Sequence, residues 1–139
     1  MLVAEEDRDL AGVLIAMFER HGGVVYYAQT GAEAIQCCDF VVPDLLVLDP
    51  VMPEHDGFAV VNWMRQQDRL CQIPVVVYAA GELTAADQQR LTLGPTQFFT
   101  KSRIPPEQFE QQVMQWLDRL LLAREGDCSS DDNSAPSRC

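Results

Sequence analysis

Short apolar runs alternate along this chain with stretches whose apolar residues recur every three or four positions. The first run, Met1-Leu2-Val3-Ala4, ends abruptly in Glu5-Glu6-Asp7. Leu10, Leu14, Met17, Phe18 and His21 follow at helical spacing, and Gly22-Gly23 stops that helix. Val24 to Ala28 is β-branched and aromatic, which predicts a strand. Thr30, with Glu33 three residues on, forms a capping box opening a short helix through Cys38. Leu45 to Leu48 is the third strand, followed by a Pro- and Gly-punctuated loop from Pro50 to Gly57. A helix from Phe58 to about Gln67 leads to a fourth strand, Ile73 to Tyr78. A polar helix near Thr84–Leu93 ends at Gly94-Pro95, and Gln97 to Thr100 makes a fifth strand. Pro105-Pro106 opens a last helix to about Ala123.

Strands alternating with helices in this way predict an α/β fold, a doubly wound five-stranded parallel sheet of (βα)5 type. Strands three and four are apolar without interruption, as a sheet covered on both faces requires. Right-handed crossovers place the functional cleft at the carboxyl ends of the strands. That rule selects Glu5-Glu6, Asp49, Ala79-Ala80 and Lys101, gathering three carboxylates and one ammonium at a single rim. Beyond Ala123 apolar periodicity stops and Ser, Asp and Gly take over. Residues 1–123 are therefore read as one folded domain and 124–139 as a disordered Ser/Asp-rich tail or linker.

Composition sharpens this. The 139 residues carry 10 Lys+Arg against 21 Asp+Glu, a formal charge of −11. Direct nucleic-acid binding and anionic membrane surfaces are disfavoured, since both require cationic patches. No apolar run approaches the roughly 20 residues of a membrane span, and the amino terminus lacks the pattern of a secretory signal. The five cysteines include no CxxC spacing. They are read as reduced thiols, with a cytoplasmic location. Of the ten basic residues, Lys101 alone is lysine.

Carboxylates converging at one rim repel each other unless a cation sits among them. Magnesium suits such a site: it takes oxygen ligands and is usually held by one or two carboxylates plus a phosphate. A lysine beside it is a mobile point charge suited to a phosphoryl oxygen. Asp49, at the centre, can act as a nucleophile forming an acyl phosphate, with the cations offsetting charge on the transferred group.

The stretches LVAEED, PDLLVLDPVMPEHDGF, IPVVVYAA and LGPTQFFTKS, in this order, resemble the receiver domain of two-component response regulators over roughly residues 1–122. The resemblance implies the flavodoxin-like strand order 2-1-3-4-5. It makes Asp49 the phosphoacceptor and Lys101 the phosphate-contacting lysine. Glu5, Glu6, Asp49 and the carbonyl of Val51 would be the Mg²⁺ ligands, with Asp7 as an alternative, and Ala79 and Phe98 fall at the switch positions. Met52-Pro53 and Gly57 match the loop that presents the acceptor.

Three positions depart from the family pattern. Glu6 stands where Asp is usual and is one methylene longer. Ala79 replaces a Thr or Ser, so no hydroxyl is present to bond the phosphoryl oxygen and draw in Phe98. Ser102 replaces a proline.

The reading that follows is a phosphorelay receiver, not an enzyme. It would be charged by a histidine kinase or phosphotransfer protein and would signal to a downstream protein by contact. The alternative is a degenerate receiver acting as a phosphorylation-independent interaction module. An aspartyl-phosphate phosphatase on the same fold is disfavoured, because Val51 sits where a second acid would follow Asp49. The last helix carries a wide apolar face, and Trp116 or Leu122 either forms a partner or homodimer surface or packs under the tail.

Overall fold

A computed structural model of the protein describes residues 1–52 and 56–130, with side chains up to residue 120. Pro53 and His55 of the predicted loop, the side chain of Leu122, and tail residues 131–139 lie outside the described residues. Five strands and five helices alternate: β1 Leu2–Ala4, α1 Arg8–Arg20, β2 Tyr26–Ala28, α2 Gly31–Phe40, β3 Leu46–Leu48, α3 Gly57–Arg65, β4 Val75–Ala79, α4 Ala85–Leu91, β5 Thr96–Thr100 and α5 Pro106–Ser130. All strands are parallel, in the order β2-β1-β3-β4-β5. The expected fold and strand order are both present.

The alternation of side chains along each strand divides the core in two. Leu2, Ala4, Leu46, Leu48, Val75, Val77 and Ala79 face α2, α3 and α4. Val3, Val47, Val76 and Tyr78 face α1 and α5, packing with Leu14, Phe18, Phe109 and Trp116. Trp116 is thus a buried core residue, which removes it as a partner surface, while Met114, Leu117 and Leu120 of the same helix are half-buried.

Local chemistry sets the boundaries. β2 is shorter than its apolar run: pairing starts where Tyr26 N donates to Met1 O, at the end of the partner strand. α1 is capped by Asp7, whose carboxylate accepts from the amides of Asp9 and Leu10. The Thr30 cap on α2 forms as expected, Glu33 N to Thr30 Oγ1 at 3.1 Å. Glu33 answers to the amide of Gln29 at 2.7 Å rather than to that of Thr30. α5 runs seven residues past the expected end near Ala123, as far as Ser130. Arg124 and Glu125 are good helix formers, and no proline interrupts before Pro136, so propagation from a long packed helix continues.

Cys37 and Cys38 are free, and burial pushes the Cys38 thiol up to about 12. Cys71 is disulfide-bonded, which corrects the expectation that all five cysteines are reduced. No described helix is long and apolar enough to cross a membrane.

One glycine holds α3 against the rim of the sheet. Gly57 donates to Pro50 O, and a Cβ there would lie 2.7 Å from Pro50 Cα and 3.2 Å from Asp49 O. Since backbone cannot yield as a side-chain tip does, Gly57→Ala should cost about 1–3 kcal/mol. Urea unfolding should show this as a lower midpoint at unchanged slope.

Candidate functional site

β1 and β3 are in register, with Ala4 opposite Leu48, so the next residue of each chain emerges at the same edge. Glu5 N donates to Ala28 O and Asp49 N to Ala4 O, at 3.0 and 2.9 Å, extending the ladder by one step on each strand. These bonds fix the two carboxylates side by side at the carboxyl rim. On the far side, Lys101 N donates to Ala79 O at 2.7 Å, continuing the β4–β5 pairing and swinging the lysine back over the sheet.

The three side chains meet. Lys101 Nζ lies 3.0 Å from Glu5 Oε1 and 3.2 Å from Asp49 Oδ2. Asp49 Oδ1 accepts from Val51 N at 3.0 Å, and Glu5 Oε2 from Asp7 N at 3.1 Å. Glu5 is 2% exposed and Asp49 7%. Two carboxylates therefore share one ammonium in a largely dry setting. Burial, and then the hydrogen bond and charge of Asp49, push the Glu5 carboxyl up to about 7, against the pull of Lys101 and the Asp7 amide. Burial alone would lower Lys101, but its bonds to Glu5 and the charges of both acids outweigh it and raise the ammonium above its ordinary value.

The remaining sequence candidates divide. Glu6 is exposed and does not join the pair. Asp7 is committed to capping α1. Among the described residues, no three His, Cys, Asp or Glu side chains come together as metal ligands. Val51 is 70% exposed, its amide turned to Asp49. Ala79 is buried, Phe98 half-buried, and the two line a cleft of about 160 Å³ with Leu83, Gln88, Thr100 and Arg103. An ion pair between Arg103 and Glu82 joins the loops on either side of that cleft.

Two tyrosines were not singled out from the sequence. Tyr27 donates its hydroxyl to Glu5 O at 3.1 Å, from the strand flanking β1. Tyr78, the last residue of β4 before Ala79, lies buried under Lys101. The available signal was strand parity: Tyr78 shares a face with Val76, opposite to Ala79.

The response regulator receiver domain family matches residues 1–113. This chain belongs to that family. As a receiver it is a module of two-component signal transduction and phosphorelay, a class that works with histidine kinases and downstream effectors. An uncharacterized 14.6 kDa protein of Leptolyngbya boryana is 31% identical over 107 residues, covering 77% of this chain and 82% of that one. The alkaline phosphatase synthesis transcriptional regulatory protein PhoP of Bacillus subtilis is 32% identical over 112 residues, but the match spans only 44% of its length. Among solved structures, the signal receiver domain of a histidine kinase from Syntrophus aciditrophicus superposes with a TM-score of 0.71 at 27% identity, covering 96% of both chains. The receiver domain of a Pseudomonas aeruginosa sensor histidine kinase, with a magnesium ion coordinated in its active-site cleft, shares the fold at a TM-score of 0.70 and 20% identity, covering 84% of this chain and 95% of that one.

Lys101 is the counter-ion of two buried acids, so removing it should be costly. Lys101→Met is expected to approach the ~3–5 kcal/mol typical of a broken buried pair at pH 8, and to cost less at pH 5, where Glu5 is protonated. The wild-type pH dependence has a definite sign. Because the folded-state pKa of Glu5 is raised, its contribution to stability is fully present below about 4.5 and is lost as pH rises through about 7. Urea midpoints measured across that window should fall with pH, and Glu5→Gln should flatten the fall.

Proposed function

We propose that this receiver accepts a phosphoryl group on Asp49 from a histidine kinase or phosphotransfer protein and passes the signal on by protein contact. The observation that carries this reading is the Asp49 carboxylate at the end of β3, with the chain's one lysine 3.2 Å from Oδ2. In the transfer an Asp49 oxygen attacks phosphorus, a P–O bond forms, and the bond to the donor nitrogen breaks. Lys101 is placed to leave Glu5 and follow the phosphoryl oxygens as their charge develops. The only chemistry assigned to the chain is this transfer and the hydrolytic loss of the phosphoryl group, so it is not proposed as an enzyme.

Magnesium fits the donor set in a restricted way. Glu5 and Asp49 are two buried carboxylates carrying more negative charge than Lys101 offsets, and Mg²⁺ is usually held by one or two carboxylates plus a phosphate. Those two residues, with the Val51 carbonyl, would hold it. Bound there, the ion supplies charge neutralisation for the phosphoryl group. Glu6, exposed at the edge, would act only through water.

The second reading, a receiver that binds partners without phosphorylation, draws on two observations. Lys101 is already satisfied by both acids, and the Ala79 position offers no hydroxyl. A cytoplasmic location and a homodimer through the exposed side of α5 are compatible with either reading.

Incubation with phosphoramidate and Mg²⁺ should add one phosphoryl mass to the wild type and none to Asp49→Asn. No gain in the wild type, together with no Mg²⁺ binding by calorimetry, would favour the interaction module. Because Ala79 borders an open cleft, a threonine can be accommodated there. Ala79→Thr should regain a charge-assisted bond of about 1.5–3 kcal/mol. It should also enlarge the beryllofluoride-induced change at Phe98 seen by NMR, and an equal response in both proteins would contradict the role given to Ala79.

A further inference from the structure

Tyr78 is a wholly buried polar side chain that the phosphoacceptor reading does not use. It is 2% exposed and occupies the face of β4 opposite to Ala79, between the site and α5. Each part of it has a partner. The ring lies under the Lys101 ammonium, with Nζ 5.9 Å from the centroid, at the outer reach of a cation–π contact. Its flat side stacks on Phe109 of α5, with centroids 4.0 Å apart and planes 14° from parallel. Phe109 in turn takes Phe99 of β5 edge-on at 5.2 Å. The hydroxyl donates to Ile104 O at 2.9 Å, in the loop that leads into α5.

One rigid side chain thus lies under the cation of the site and touches the first turn of the last helix and the backbone that enters it. The hydroxyl cannot turn away cheaply: a buried donor left unpaired loses its hydrogen bond without regaining water. The ring cannot slide without opening the Phe109 stack. Interiors packed in this way shift between arrangements as units, so a displacement at one contact is felt at the others. On the opposite face of the sheet, Ala79 has no polar group with which to grip a phosphoryl oxygen, and Phe98 borders an open cleft.

We propose that Tyr78 is a positioning residue that holds Lys101 over the acceptor and ties the place of that ammonium to the start of α5, so that the state of Asp49 is read through the last helix rather than through Ala79 and Phe98. The positioning half stands on the unmodified structure alone, while the readout half rests on the phosphoacceptor reading. When Lys101 follows a phosphoryl group, its position over the ring changes, and Tyr78 carries that change to Ile104 and Phe109.

The chain supplies its own reporters. Lys101 is the one lysine, so growth on ¹³C-lysine gives a single side-chain signal from the site. Trp116 is buried in the same cluster as Tyr78 and Phe109, and Trp63→Phe isolates its emission. Without any phosphodonor, Tyr78→Leu should move the Lys101 ε-methylene resonance downfield as ring shielding is lost, whereas Tyr78→Phe should leave it in place. Tyr78→Met replaces Tyr78→Leu if the latter is too unstable to study. An unmoved resonance in the folded variant would overturn the positioning role.

With beryllofluoride and Mg²⁺, the wild type should shift both the Lys101 resonance and Trp116 emission. Tyr78→Phe should shift Lys101 but cut the Trp116 response at least threefold, and Phe109→Leu should do the same. Equal Trp116 responses in the wild type and Tyr78→Phe would overturn the link to α5. If neither reporter moves in the wild type, the phosphoacceptor reading fails and the readout half with it. The comparison without phosphodonor still decides whether Tyr78 holds Lys101.

Discussion

Two carboxylates and one ammonium, buried together at the end of a parallel sheet, are the constraint on which the rest of this structure turns. Like charges about 4 Å apart repel by about 4 kcal/mol at an effective dielectric near 20, and burial of both carboxylates limits screening by solvent. Glu5 and Asp49 are brought together by strand pairing that continues one residue past the last registered pair, and Lys101 arrives by the same device on β5. The backbone ladder thus sets the charges, holding two acids on one ammonium at the rim. The raised Glu5 carboxyl records first the cost of its burial and then the hydrogen bond and charge of Asp49, which one ammonium does not fully offset.

Much of this architecture was legible in the residues. Apolar strands at Leu45–Leu48 and Ile73–Tyr78 predict a doubly covered sheet, and the carboxyl-edge rule points to Glu5-Glu6, Asp49, Ala79-Ala80 and Lys101. Other parts could not be read because they depend on where backbone amides end up. Glu5-Glu6-Asp7 looks like one acidic unit, yet its members separate: Glu5 turns into the site, Glu6 to solvent, and Asp7 to the free amides of α1. A helix start consumes the nearest carboxylate, and no composition argument says which of three that will be. Trp116 shows the same limit on the apolar side. A wide helical face does not say which stripe the sheet will cover, and here the sheet takes Phe109, Val113 and Trp116.

Membership in the receiver family brings the fold and a class of signalling role, and this chain's own residues furnish the site within it. Glu5 reaches Lys101 directly, so in the unmodified protein the lysine is anchored to both acids. Ala79 leaves an apolar wall and a cleft on the α4 side of β4. Tyr78, its immediate neighbour, places a hydroxyl and an aromatic face on the α5 side instead. Because successive strand residues point to opposite faces, polar function at the end of β4 sits under α5 rather than under α4.

The length of α5 gives that placement a mechanical meaning. Its 25 residues make a rod of about 37 Å, whereas each strand it rests on has no more than five residues. The rod is gripped over its first turns, by Phe109 against Tyr78 and Phe99 and by Val113 and Trp116 in the same core. A lever held there trades force for travel: a tilt of about 5° carries the far end of such a helix through about 3 Å. A movement too small to reshape the sheet is therefore large enough, at the other end of the helix, to make or break a contact with another molecule.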